Sequence, residues 1–451
     1  MSVTRTIGQE LQTSMPQGVA MTEKFAAARA APLAWTLYTD RQRWGFLAIL
    51  FLVSTSNYFD RNVISVLLEP IKHEFKVSDT MLGLLGGFCF AIFYAGFGIP
   101  VARWADRGNR RTIITLALTV WSVMTVLCGL ARTFGQLAFA RVGVGAGESG
   151  AIPPAQSLIA DYFPPERRAS AIAIFTAAAM AGYLLGFGLG GYVAATYGWR
   201  TAFLLAGAPG LALAVLTYCK LAEPRLLRGF PREGSSVESV RQALARLKAK
   251  RGFLYALAGC ILYFFIAYGA LIFIPSFLIR VLHVPLAKVS VAYGSVGAVA
   301  SVIGTLGGGW LADRLGRRDV RWLAWLPAAA CVLTAPVYVA AFSANSFIAF
   351  LALAFVAGLL LVGGLPPVFA AIHAICGSAR RSMAIAIVLF SATLFGGGFG
   401  PLATGAISDS LTASYGPQGL RYSLMLMMSL LVMTGGFFYL FGREMPTDLE
   451  D

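Results

Sequence analysis

Ala102-Arg-Trp-Ala-Asp106-Arg107-Gly108-Asn109-Arg110-Arg111 and Gly309-Trp-Leu-Ala-Asp313-Arg314-Leu315-Gly316-Arg317-Arg318 are two copies of one short loop. Each follows the second long apolar run of its half of the chain. A local motif that returns at the same point of each half marks an internal duplication. Its physics can be stated from the residue types. An Asp at the end of one helix binds the positive end of a neighbouring helix, and adjacent arginines pair with it and hold the two rods together. The expected latch is Asp106, Arg107, Arg110 and Arg111 in the first copy and Asp313, Arg314, Gly316, Arg317 and Arg318 in the second. Asn109 stands where the second copy has Gly316, and Asn tolerates the left-handed turn that glycine would supply there.

The runs around these loops define the solvent. The chain is 57% hydrophobic and 13% charged, with a mean hydropathy of +0.71, so its surface is built for lipid rather than water. A spanning helix needs roughly 20 apolar residues. Such runs follow one another at 44–71, 81–104, 112–130, 136–162, 169–196, 201–221, 253–282, 287–312, 320–342, 346–375, 383–408 and 420–441. The expected organisation is a tail over 1–43, a six-helix bundle over 44–222, a linker over 223–252, a second six-helix bundle over 253–442 and a short tail over 443–451. Within the linker, Ser235-Ser-Val-Glu-Ser-Val-Arg-Gln-Ala-Leu-Ala-Arg-Leu-Lys reads as an amphipathic surface helix.

A net charge of +15 raises the question of nucleic acid, and the positions of the basic residues answer it. They cluster on alternate loops, around Arg103 to Arg111, Arg167 and Arg168, Lys220 to Arg251, Arg314 to Arg321, and Arg380 and Arg381. The positive-inside rule then puts both termini in the cytoplasm, and no nucleic-acid partner is expected. The first forty residues lack the apolar core of a signal peptide and read as a cytoplasmic tail. The six cysteines stand singly in apolar sequence, without metal or disulfide spacing. No metal site is expected, and no nucleophile-base pair of an enzyme stands out.

Ionisable groups at mid-bilayer cost roughly 2.5–3.5 kcal/mol each on insertion scales, so each is a functional candidate. They concentrate in the first half. Asp60 and Arg61 fall near the middle of the first span, and Arg141 and Glu148 lie two turns apart on one face of the fourth. Glu69 is near a span end, where water is within reach. Sequence neighbours on a helix point about 100° apart, so Asp60 needs a partner on another helix. The economical constellation is Asp60 and Glu148 sharing Arg141, with Arg61 at its edge. Two acids around one base in a dry site are not both comfortably ionised, which makes the cluster a proton switch. A static ion network that fixes helix packing is the other reading. An anionic substrate would favour co-transport with a proton and a cationic one exchange.

The other half offers a different wall: Tyr263, Phe264, Phe265, Tyr268 and Phe273 in the seventh span, with Ser391 and Thr393 in the eleventh. A cavity charged on one side and aromatic on the other suits an amphipathic solute. Small residues recur in the fifth span at Gly182, Gly186, Gly190 and Gly191 and in the eleventh at Gly400 beside Pro401, where backbones can pack closely or hinge. His73, His283 and His373 fall near span ends and read as interfacial.

The second loop copy matches, position for position, the signature G-x-x-x-D-R-x-G-R-R of the major facilitator superfamily, and the chain resembles that family. The resemblance implies an all-α membrane protein of the major facilitator fold, with twelve transmembrane helices in two pseudo-symmetric six-helix bundles. It also implies latches closing Asp106 on the eleventh span near Arg381 and Ser382, and Asp313 on the fifth near Arg168 and Ala169. Antiporters of the family carry a proline in the fifth-span motif where Phe187 stands here. Over roughly 45–225 the chain is similar to the spinster type, through Asn57-Tyr58-Phe59-Asp60-Arg61, Ser78-Asp79, Trp121-Ser122, Arg141-Val-Gly-Val-Gly-Ala-Gly-Glu148-Ser, Asp161-Tyr-Phe-Pro-Pro-Glu-Arg-Arg168, Gly198-Trp-Arg200 and Glu223-Pro224. That likeness implies alternating-access transport of a sphingosine-1-phosphate-like or lysophospholipid-like solute, with Asp60, Arg61, Arg141 and Glu148 at the family's intramembrane charged positions. The expected setting is a monomer in a bacterial inner membrane, with the bilayer and an amphipathic small molecule or lipid as partners. No cofactor is expected, and the proton is the coupling ion. Small organic anions or drugs are the alternative cargo on the same fold.

Overall fold

The computed structural model describes residues 34–226 and 240–449. Among the described residues the apolar runs become twelve long helical segments: α1 (Asp40–Phe75), α2 (79–107), α3 (Arg110–Leu130), α4 (134–162, interrupted at 149–151), α5 (Pro165–Tyr197), α6 (Trp199–Lys220), α7 (Arg251–Arg280), α8 (Leu286–Gly316), α9 (Trp322–Ser343), α10 (Phe347–Ile375), α11 (377–415) and α12 (419–448). Helix is the forced solution in lipid, where every backbone N–H and C=O must be satisfied within its own segment. The ends are written in sequence. Thr39 and Gln42 close a capping box at the start of α1, and the side chains of Ser78, Asn109 and Thr133 cap α2, α3 and α4. Gly198, at φ 89°, makes the corner between α5 and α6 that a side chain would strain.

Asn109 and Gly316 do not make the left-handed turn expected of the loops. Asn109 has φ −82° and accepts a hydrogen bond from Thr112 N, and Gly316 ends the last turn of α8. Three helices carry a π-helical stretch: Leu84–Phe88 in α2, Leu185–Gly190 in α5 and Ala392–Phe399 in α11. Two of them fall where the sequence placed its glycine-rich packing motifs. A methyl group at Gly182 would come within 2.5 Å of Tyr58 Cβ, and one at Gly186 within 2.9 Å of Asn62 Cβ, so α5 lies with its backbone against α1. Gly190 likewise faces Val63, and Gly191 crosses to Ser290 of α8. In the second half Gly400 meets the Phe265 carbonyl of α7, and Pro401 packs against Gly87 of α2. The α5–α1 and α11–α7 seats occupy corresponding places, which is the pseudo-symmetry in packing form.

The two halves meet most firmly at the end remote from the loop motifs. Arg280, closing α7, donates from Nε and Nη2 to Glu69 (3.1 and 3.0 Å) and from Nη1 and Nη2 to Asp79 (2.7 and 2.9 Å). Lys72 and Ser408 also donate to Asp79, at 2.5 and 2.6 Å. Asp409 of α11 accepts from the backbone N–H groups of Asp79 and Thr80, each at 2.8 Å, and so caps α2 from the opposite half. Glu69, expected to reach water, is 3% exposed because the Arg280 fork covers it.

At the motif end the Asp313 latch is not closed. Asp313, Arg314, Arg317 and Arg318 are exposed, and the Arg168 guanidinium lies over the Trp35 ring. With the halves clasped at the far end, α8 is not drawn onto the start of α5. The side chains of Asp106, Arg107 and Ser382 lie outside the described residues, while Arg381 donates to the His373 carbonyl. Arg110 does not serve an inter-half latch. It is buried and bonds Glu223 (2.7 Å), Asp161 (2.6 Å) and Ser157 (2.8 Å), tying α3, α4 and the segment that follows α6 into one unit. Arg111 stacks on Tyr218. Of the linker, Val240–Ala249 is helical and buries Leu247 beside α7 and α11; 235–239 lie outside the described residues.

Candidate functional site

A cavity of about 420 Å³ lies between the halves. Residues of α1, α2, α4 and α5 form one wall, including Tyr58, Arg61, Asn62, Phe90, Arg141 and Tyr183. Those of all five helices from α7 to α11 form the other, including Tyr268, Tyr293, Tyr338 and Thr393. A second hollow of about 440 Å³, lined by Leu52, Phe59, Leu189, Leu213 and Leu216 among others, holds no ionisable group and opens on the lipid-facing side of α1, α5 and α6.

The structure brings the four buried charges together and pairs them differently from the economical scheme. Arg61 Nε donates to Glu148 Oε2 at 2.6 Å, so Arg61 is the direct partner and not the edge. The angular offset between sequence neighbours explains the exchange. Arg61 turns to the cavity and α4, leaving its side chain 23% exposed. Asp60 is 0% exposed and turns toward Thr125 of α3. Arg141, 1% exposed, acts electrostatically on both acids without closing an ion pair to either. Among the described residues, neither carboxylate oxygen of Asp60 has a hydrogen-bond partner, nor do Arg61 Nη2, Arg141 Nε and Nη1, and Glu148 Oε1. Burying polar atoms without a partner is costly.

Aromatic rings surround the guanidinium of Arg61. Its Cζ lies 5.7 Å from the Tyr58 ring centre, 5.0 Å from Phe90 and 4.5 Å from Tyr94. Phe90 also lies 5.6 Å from Arg141 Cζ. These distances are within reach of cation–π attraction.

On the opposite wall the aromatic forecast holds only in part. Tyr268 and Thr393 line the cavity. Tyr263 is buried and donates to the Leu361 carbonyl at 3.0 Å, and Phe273 is fully buried in the second bundle. Phe264 stacks on Tyr268 from behind, and Phe265 and Ser391 are half-buried away from the cavity. A helix gives its aromatics no depth label, and every fourth residue of α7 faces inward while its neighbours pack sideways. Phe90, Tyr183, Tyr293 and Tyr338 were missed for the same reason. For Tyr58 and Asn62 adjacency to Asp60 and Arg61 was the available signal.

The family model described as Major Facilitator Superfamily matches residues 50–341. An MFS-type efflux pump of Mycolicibacterium smegmatis is 38% identical over 88% of this chain and 92% of its own length. A sphingosine-1-phosphate transporter of Danio rerio is 27% identical over 86% of this chain and 82% of its own. Among solved structures, a bacterial homologue of the human lysosomal transporter Spinster, in an inward-facing and unoccupied conformation, superposes with a TM-score of 0.84 at 31% identity. That match covers 92% of this chain and all of the other.

Proposed function

This chain belongs to the major facilitator superfamily, in its spinster type, and from that premise we propose that it moves an amphipathic, lipid-like solute with an anionic head by proton-linked alternating access. The observation that carries the reading is the buried Arg61–Glu148 pair at the cavity wall, beside an Asp60 without a hydrogen-bond partner among the described residues.

An anion entering the cavity competes with Glu148 for the guanidinium of Arg61. Once displaced, a carboxylate in a dry site takes up a proton, so anion and proton move together. Asp60 extends the relay toward α3. The groups that face the two acids are Asn57, Tyr58 and Arg61 on α1, Thr125 and Cys128 on α3, and Arg141 on α4, with Tyr94 of α2 against Arg61. The unpaired N–H donors of Arg61 and Arg141 favour an anionic head over a cationic one. The tyrosines of the far wall favour an apolar tail.

The basic residues of the loop-motif end favour a cytoplasmic side there, with both termini on it, and the proposed setting is a monomer in a bacterial inner membrane. Clasped at the opposite end, the described conformation then faces inward. Small organic anions or drugs are the second reading, and the same two arginines would hold them.

Purified protein in proteoliposomes separates these. Under an imposed proton gradient, sphingosine-1-phosphate or a lysophospholipid is expected to accumulate and a cationic dye not, and Asp60→Asn and Glu148→Gln are expected to lose the response. Full proton-driven uptake by both variants would remove the switch, and accumulation of the dye alone would reverse the substrate charge.

A further inference from the structure

We infer that Phe90 is the positioning residue of the charged wall: its ring lies against the guanidinium groups of both Arg61 and Arg141 and holds them in place where the two residues border the cavity. The inference rests on the anion-binding reading of that wall. Two arginines bordering one cavity repel each other, and the nearby acids answer only part of this: Glu148 bonds Arg61 and acts on Arg141 without closing an ion pair to it. A phenyl ring lies against both guanidinium groups as well, 5.0 Å from one Cζ and 5.6 Å from the other. A ring presents its negative face to a cation, so it attracts both guanidinium groups without using up their N–H donors. Tyr94 stacks on Phe90 at 5.4 Å and 18° and continues the same surface to Arg61 at 4.5 Å.

The ring is held from beneath. Arg141, Gly145 and Glu148 share one face of α4, and the Phe90 carbonyl lies so close to Gly145 that a methyl group there would overlap it. Phe90 therefore enters the wall between the base and the acid of α4. The π-helical stretch Leu84–Phe88 ends just before it, and such a stretch re-aims the side chains that follow. Without the ring, Arg141 has free travel toward Glu148 and Asp60. Its capture would turn the wall into a closed ion network with fewer donors for a ligand.

The test compares the purified parent with Phe90→Leu and Phe90→Tyr. Binding of sphingosine-1-phosphate is titrated beside sphingosine, which lacks the phosphate. Phe90→Leu is expected to weaken sphingosine-1-phosphate by about tenfold and leave sphingosine unchanged, while Phe90→Tyr stays near the parent. Equal weakening of both ligands, or no change in either, would reduce Phe90 to a packing residue and overturn the assignment. Should the parent bind neither probe, the substrate reading falls, and an experimental structure of Phe90→Leu still decides the position of Arg141. Capture of its guanidinium by Glu148 or Asp60 would support the spacer role, and an unmoved Arg141 would end it.

Discussion

At the scale of single residues, the account turns on which atoms of four buried charges are already engaged. Glu148 is bound to Arg61, whereas Asp60 has no hydrogen-bond partner among the described residues, so the two acids are not interchangeable. Arg61→Lys keeps the charge but gives up the planar fork and the stacking on Tyr58, Phe90 and Tyr94. Affinity for an anionic amphiphile is expected to drop about tenfold with the fold intact, measured by titration beside a thermal melt. Gly145→Ala forces a methyl group onto the Phe90 carbonyl and is expected to destabilise by about 1–3 kcal/mol, read as a lowered melting temperature. The charges themselves were legible in the sequence, because an ionisable residue inside an apolar run announces itself. Their pairing was not. Offsets of 100° between neighbours say that Asp60 and Arg61 diverge, but not which of them meets α4.

At the scale of elements, the helices and their number follow from apolar runs and caps, whereas the contacts between helices depend on interfaces that periodicity leaves open. The glycines of α5 and α11 were read as packing or hinge positions and lie in close backbone seats, with π-helical stretches inside both segments. The loop arginines were read as latch residues, and Arg110 instead binds Asp161 and Glu223 of its own half. The Arg280–Asp79–Glu69 clasp went unforeseen because its members sit at span ends, where charge is unremarkable. Its energetics are nevertheless concrete. Arg280→Ala leaves two buried carboxylates with less than their full set of partners and is expected to open that end. Spin labels placed across α2 and α7 there should report a longer distance. Asp409→Ala removes the cap on α2 at a cost of about 1 kcal/mol, shifting the open fraction by about fivefold. An unchanged distance distribution in both variants would mean that the clasp does not hold the halves.

For the whole molecule, two equivalent bundles are clasped at one end, with the Asp313 latch unmade at the other, around a cavity with charges on one wall and tyrosines on the other. That duplication was visible in the paired loops before any coordinate, since a repeat in sequence must become a repeat in space. The conformation was not visible, because the chain carries charged residues at both ends of the bundles and the sequence does not rank the contacts they could make. The central claim is that Glu148 exchanges its hold on Arg61 for a proton when an anion enters. The direct measurement is proton movement itself, followed with a pH-sensitive dye inside proteoliposomes after sphingosine-1-phosphate is added outside without an imposed gradient. The account predicts acidification of the lumen by the parent chain and none by Glu148→Gln. Lipid accumulation with no change in lumenal pH, or the same acidification in the variant, would contradict it.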